Sequence, residues 1–222
     1  MKSDGRPILE VRDLVKCWKG VDSPVLDGVN LELAPGRLVA VHGDNGAGKT
    51  TLLRIVSGLI EPDSGSISVG GHTAEERREF QQRIGFVSAG NGALYARLTV
   101  DDHLGLWGRL AMLPRSRRAA ASDATLEQFG LDELRGRRVD RLSTGQRQRL
   151  RLALGFMHEP ELLLLDEPES SLDDRALGLL SEALRGARAN GATAIICSPS
   201  AQHEHLAIDE SYLVTNGKLE RT

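Results

Sequence analysis

Long apolar runs are missing from this 222-residue sequence. None approaches the ~18 residues that would suggest a membrane-spanning helix, so work at a membrane would need another chain to span it. Cysteine is scarce: Cys17 and Cys197 lie far apart and form no CxxC pair. That argues against a disulfide framework or a thiolate zinc site and suits a reducing cytosol. Charge of one sign is lacking too. The chain has 28 Lys and Arg against 31 Asp and Glu, a net charge of −3, so no bulk field holds nucleic acid and no nucleic-acid partner is expected. The opening MKSDGRPILEVRDL has no apolar h-region, and a secretory leader is not expected. There is no internal repeat and no low-complexity tract. What remains is a globular composition, 40% apolar and 27% charged, long enough for one large domain or a core with a subdomain.

Periodicity places the elements. Residues 8–13 (ILEVRD) and 29–33 (VNLEL) alternate apolar and polar, as half-buried strands do. The turn at 34–36 leads into a short buried strand over 37–43, and 49–59 has helical spacing. A turn, a strand and a turn occupy 61–71, and another strand lies at 83–88. From Leu98 to Met157 the pattern is mostly helical, broken at Pro114, Gly130 and Gly136. The run ELLLLD at 161–166 is apolar throughout until its carboxylate, the mark of a strand buried on both faces. A helix over 173–189, a strand over 193–197 and a hairpin turning at Asn216-Gly217 close the chain.

Two stretches carry chemistry. GDNGAGKTT, comprising Gly43, Asp44, Asn45, Gly46, Ala47, Gly48, Lys49, Thr50 and Thr51, fits GxxxxGK[ST] between a strand and a helix. Glycines there let backbone N–H groups close around the β- and γ-phosphates of a nucleotide. Lys49 adds a positive charge, Thr50 offers a hydroxyl to Mg²⁺, and the helix points its positive end at the same phosphates. In ELLLLDEP, Asp166 can hold Mg²⁺ through a water, and Glu167 can take a proton from an attacking water.

The segment RLSTGQRQRLRLALGFMHEPELLLLDEPESSLD, 141–173, resembles the signature-to-Walker-B stretch of the ATP-binding cassette (ABC) ATPases. The resemblance extends over essentially the whole chain. GDNGAGKTT is similar to the family's Walker A, LSTGQ at 142–146 to its LSGGQ signature with Thr144 in place of a glycine, and SSLD at 170–173 to its D-loop. It implies a single α/β domain over 1–222: a P-loop NTPase core of ABC type, approximately 1–91 and 159–222, with an N-terminal antiparallel β region. A helical subdomain is inserted at approximately 92–158. It also implies ATP as substrate with Mg²⁺, and a head-to-tail dimer with a second ABC ATPase subunit, identical or different. Ser143, Thr144, Gly145 and Gln146 would serve the partner's nucleotide. The helical insertion would dock on a transmembrane permease, with the chain lying on the cytoplasmic face. Residues 92–113 look most like the branch with a separate permease chain, especially small drug- or polysaccharide-exporting systems. DLVKCWKG puts Trp18 at the place of the family's adenine-stacking aromatic; a half-buried packing tryptophan is the other reading.

Two positions depart from the family pattern. The glutamine that usually follows the strand at 83–88 falls on Ala89, with Asn91 as a candidate stand-in between two glycines. The switch histidine falls on Pro199, which has no donor to offer; His203, four residues on, is a candidate replacement. Tight ATP binding with slowed hydrolysis is the expected phenotype. The arginines at 115, 117, 118, 135, 137, 138 and 141 make the insertion locally basic. They read as a solvated face, with contact to a permease loop or anionic headgroups as the alternative. His42 reads as structural. The expectation is therefore the ATP-hydrolysing subunit of a transporter, an exporter by the resemblance. A soluble ABC ATPase of a non-transport assembly and a low-turnover regulatory subunit compete with it.

Overall fold

Apolar alternation near the start of the chain builds an antiparallel ribbon. β1 (Leu9–Lys16) pairs with β2 (Leu26–Leu33) on one side and with β4 (Ser64–Val69) on the other. The two-residue strand β5 (His72–Thr73) extends β4, giving the order β2-β1-β4-β5. The computed structural model describes residues 6–20, 23–90, 94–199 and 205–222.

The second sheet has six strands. β3 (Leu38–His42), β6 (Ile84–Val87), β7 (Leu162–Asp166), β8 (Thr193–Cys197) and β9 (Glu210–Thr215) run parallel, and β10 (Lys218–Arg221) folds back on β9 in the order β10-β9-β3-β8-β7-β6. The hairpin turns on Asn216 and Gly217, both at positive φ, as its sequence predicts. β7 and β8 are buried at every position. Their side chains alternate between two cores: Leu163, Leu165, Ala194 and Ile196 face one, Leu162, Leu164, Ile195 and Cys197 the other. The second core also takes the antiparallel sheet and α1 (Lys49–Val56).

The first core takes the helices: α3 (Val100–Leu110), α4 (Arg115–Gln128), α5 (Thr144–Phe156) and α6 (Asp174–Ala189). Between α4 and α5 lie two 3₁₀ turns, Asp132–Leu134 and Val139–Arg141. The short helix α2 (Arg77–Gln82) and β5 have no counterpart in the sequence reading. α2 buries Phe80 alone, too little to register as a periodic face.

The arginines of the insertion lie on a solvated surface, where several meet acids. Arg135 sits among three aspartates: Asp123 at 2.8 Å, Asp101 and Asp132 at 3.5 Å. Arg138 pairs with Asp140, Arg117 with Glu159, and Arg118 donates to the Leu113 carbonyl. These four are tied to their own chain, three of them by acids and Arg118 by a backbone carbonyl.

α5 lies directly on β6. Gly85 faces the Gly155 carbonyl so closely that a Cβ would collide with it, and Gly155 rests on Val87. Gly85→Ala should therefore cost about 2 kcal/mol of stability or more through overpacking. Gly136→Ala, with open space around it, should stay within about 0.5 kcal/mol. Chemical denaturation of the two variants checks the difference.

Candidate functional site

The carboxyl ends of β3, β7 and β8 meet at one edge, and the sequence-predicted groups gather there. After β3 the chain enters a turn that only glycine can follow. Gly43 has φ +143°, and an added Cβ would strike the Val214 carbonyl; Gly48 has φ +113°, with the Val25 carbonyl 2.8 Å from such an atom. Asp44, Asn45 and Gly46 are exposed, Ala47 is half-buried, and the Ala47 N–H donates to the Asp44 carbonyl at 3.1 Å. α1 begins at Gly48 without any side-chain cap and without an acid in its first turn. The first-turn N–H groups of a helix have no partner within it, so this end suits an anion. Lys49 is buried and folds back over the loop, donating to the carbonyls of Gly43 at 2.5 Å and Asp44 at 2.8 Å.

Across from the loop, the Thr50 hydroxyl donates to Asp166 Oδ2 at 2.9 Å. Asp166 is 2% exposed and stands opposite Cys197 in the β7–β8 register. Burial, and next the neighbouring Asp166 carboxylate, push the Cys197 thiol well above its ordinary pKa; it stays a protonated core residue. Glu167 follows with φ +50°, held by its N–H donating to the Cys197 carbonyl at 2.9 Å. Such left-handed backbone costs about 1 kcal/mol or more and is commonest at functional sites. Thr50 and Asp166 form an all-oxygen donor set with one negative charge. That chemistry fits Mg²⁺: while the hydroxyl hydrogen goes to Asp166, its lone pairs remain free for a cation.

Trp18 reaches this region through its neighbours. Lys16 at the end of β1 accepts from the Val25 N–H at 2.8 Å, and the Val25 carbonyl abuts Gly48. The indole is 43% exposed, with Lys16 Nζ 5.4 Å from the ring centroid. Asp63 fixes this strand end by accepting from the Cys17 N–H at 2.6 Å and from Lys16 Nζ at 3.0 Å. The first of these, then the second, holds the Asp63 carboxyl below its usual range.

The signature residues open α5. Ser143 is its N-cap, accepting from the Gln146 N–H at 3.2 Å, while the Ser143 N–H donates to Gln146 Oε1 at 2.9 Å. Ser143 and Thr144 are exposed, and Gly145 lies against the Ser171 carbonyl of the segment after β7. Ala89 and Pro199 are both exposed, and the Ser198 N–H donates to the Val41 carbonyl, which places Pro199 at the same sheet edge. Asn91 and His203 lie outside the described residues. His42 is half-buried, its Nδ1 3.5 Å from the Ser211 hydroxyl. Sequence reasoning missed Gln148 and Arg151: Gln148 Nε2 donates to the Pro168 carbonyl at 3.0 Å, and Arg151 to Gln148 at 2.7 Å.

A glycine turn between a buried parallel strand and an uncapped helix, with a buried lysine and a strand-end carboxylate, defines a P-loop nucleoside-triphosphatase. The family model described as "ABC transporter" matches residues 26–170. The chain belongs to the ABC transporter family, among its ATP-binding proteins. It is 32% identical to the ABC transporter ATP-binding protein NatA of Bacillus subtilis (strain 168), over 86% of this chain and 78% of that protein. It is 36% identical to the daunorubicin resistance ATP-binding protein DrrA3 of Streptomyces coeruleorubidus, over 89% of this chain and 63% of that one. The phosphonates import ATP-binding protein PhnC of Alcaligenes faecalis is 39% identical over 85% of this chain and 73% of its own length. A solved ATP-binding subunit of an ABC transporter superposes with TM-score 0.86 at 28% identity, over 96% of this chain and 88% of that one. Among the described residues no helix is long and apolar enough to cross a membrane.

The Asp63 anchor predicts a pH dependence. Because the folded carboxyl has the lower pKa, its contribution is present above the unfolded value near pH 4 and is lost as pH falls through the folded one. In a Trp107→Phe background, Trp18 fluorescence should change on acidification through that range. Asp63→Asn should show the acid-side emission already at neutral pH and lack the titration.

Proposed function

We propose that this chain hydrolyses ATP at the loop-and-carboxylate site and powers an exporter whose membrane-spanning part is a separate permease. The observation that carries this reading is the 2.9 Å contact between Thr50 and Asp166 beside a buried Lys49 at an uncapped helix start. Residues Gly43 to Thr51 cradle the phosphates with backbone N–H groups, and Lys49 turns from its carbonyl partners to the β- and γ-phosphates. Thr50 and Asp166 hold Mg²⁺, which when bound offsets phosphate charge. Glu167, at the same sheet edge, takes the proton of the attacking water. Trp18 stacks on the adenine. In a head-to-tail dimer, Ser143, Thr144, Gly145 and Gln146 face the nucleotide of the partner cassette. The helical segment at 92–158 meets the permease on the cytoplasmic face of the membrane. The drug-resistance name of one relative supports export, and the import name of another supports the opposite direction.

A low-turnover reading is favoured by one specific observation: neither Ala89 nor Pro199, both exposed at the nucleotide edge, carries a side-chain hydrogen-bonding group. Losing one preorganised transition-state donor typically costs on the order of 10²–10³ in rate.

Glu167→Gln keeps size and hydrogen bonding but cannot take a proton. It should abolish turnover, leave ATP bound and give a dimer on gel filtration with Mg·ATP that Mg·ADP does not give. Unchanged turnover would remove Glu167 from the role of base. Pro199→His tests the slow-turnover reading separately. Steady-state phosphate release should rise about tenfold or more if Pro199 stands where a donor is wanted; an unchanged rate would leave the slow site unexplained by this position.

A further inference from the structure

Glu167 is held through its backbone on two sides. Its φ is +50°, and its N–H donates to the Cys197 carbonyl of β8 at 2.9 Å. That bond ties the residue to the sheet. On the other side comes Pro168, whose ring fixes φ and whose one polar backbone group is its carbonyl. The chain then curls back on itself: the Ser170 N–H donates to the Glu167 carbonyl and the Leu172 N–H to the Glu169 carbonyl, both at 3.2 Å.

The Pro168 carbonyl is tied to α5. Gln148 is 6% exposed. Its Nε2 donates to that carbonyl at 3.0 Å, and its Oε1 accepts from Arg151 Nη1 at 2.7 Å. The two partners allow the amide no other orientation, since a carbonyl only accepts and a guanidinium only donates. Arg151 is itself buried, and its Nη2 has no hydrogen-bond partner among the described residues. Burial works against its charge, and the Asp166 carboxylate works for it. A buried guanidinium is costly to place, and the bond it makes here fixes the amide that holds Pro168. Gly145, three residues before Gln148 on the same face of the helix, lies against the Ser171 carbonyl. α5 therefore grips the segment after Glu167 at both Pro168 and Ser171.

We propose that Gln148 is a positioning residue for hydrolysis: oriented by Arg151, it holds the Pro168 carbonyl and so sets Glu167 where it takes the proton of the attacking water. This rests on the reading that Glu167 is the base. Glutamine suits the task by its chemistry. A glutamate would accept from Arg151 equally well but turn an oxygen on the Pro168 carbonyl, and a lysine would donate to Pro168 but oppose Arg151. The effect falls on the chemical step, where a displacement of about 1 Å costs on the order of 10² in rate. Nucleotide binding at the phosphate loop does not pass through this bond.

Single-turnover hydrolysis of Mg·ATP and calorimetric titration with Mg·ATP, both on the full chain, test this. Gln148→Glu keeps the size and the bond from Arg151 and removes the donor to Pro168. Its hydrolysis rate should fall about tenfold or more, with ATP affinity held within about twofold. The paired change Gln148→Met with Arg151→Met removes the same donor and leaves no buried guanidinium without its partner; it should show the same split between rate and affinity. A smaller fall in rate, or an equal fall in affinity, would show a packing role and overturn the proposal. If circular dichroism shows one variant unfolded, the other decides by the same comparison; unfolding of both would make the bond a stability contact and overturn the proposal as well. Glu167→Gln separates the underlying reading. A folded Glu167→Gln that hydrolyses ATP as fast as wild type overturns the base assignment and the Gln148 proposal with it, whereas its loss of turnover leaves the Gln148 variants to decide.

Discussion

The hydrogen bond from Thr50 to Asp166 joins positions 116 residues apart, and the arrangement of the site depends on it. A carboxyl group 2% exposed at the end of an apolar strand needs a hydrogen-bond partner there. Its partner comes from the first turn of α1, which can reach it only because β3 lies two strands away in the same parallel sheet, with β8 between. The glycine turn between β3 and α1 follows from the same constraint. Gly43 passes under the Val214 carbonyl and Gly48 under that of Val25, so neighbouring backbone fills the space any side chain would need. Lysine and hydroxyl are consequently presented by the start of α1 at the same edge as the carboxylate of β7.

α5 is the second organising element. Its first turn is the exposed capping box of Ser143 and Gln146, its middle carries Gln148 and Arg151 inward, and its last turn presses Gly155 onto β6. Small residues at 85 and 155 permit an approach that leaves no slack, and interiors packed this closely transmit displacement rather than absorb it. The helix is thus a rigid bar between the exposed signature and the segment that carries Glu167.

What the sequence made legible were features with short-range causes. The loop has a fixed spacing of glycines, lysine and hydroxyl; β7 is apolar up to Asp166 because both its faces are covered; Asn216-Gly217 suits a tight hairpin. What it concealed depends on distant partners. α2 shows one buried residue, Phe80, and β5 is two residues long, so neither has a period to detect. The pairing of Arg135 was not legible, because Asp101 and Asp123 are distant in sequence and meet it only on folding. Arg151 was hidden among Arg147 and Arg149. A signal was available: Gln148, Arg151 and Gly155 fall at helical spacing on the face shared with buried Leu152. A charged residue on that face reads as an error in the pattern until its bond to Gln148 is seen.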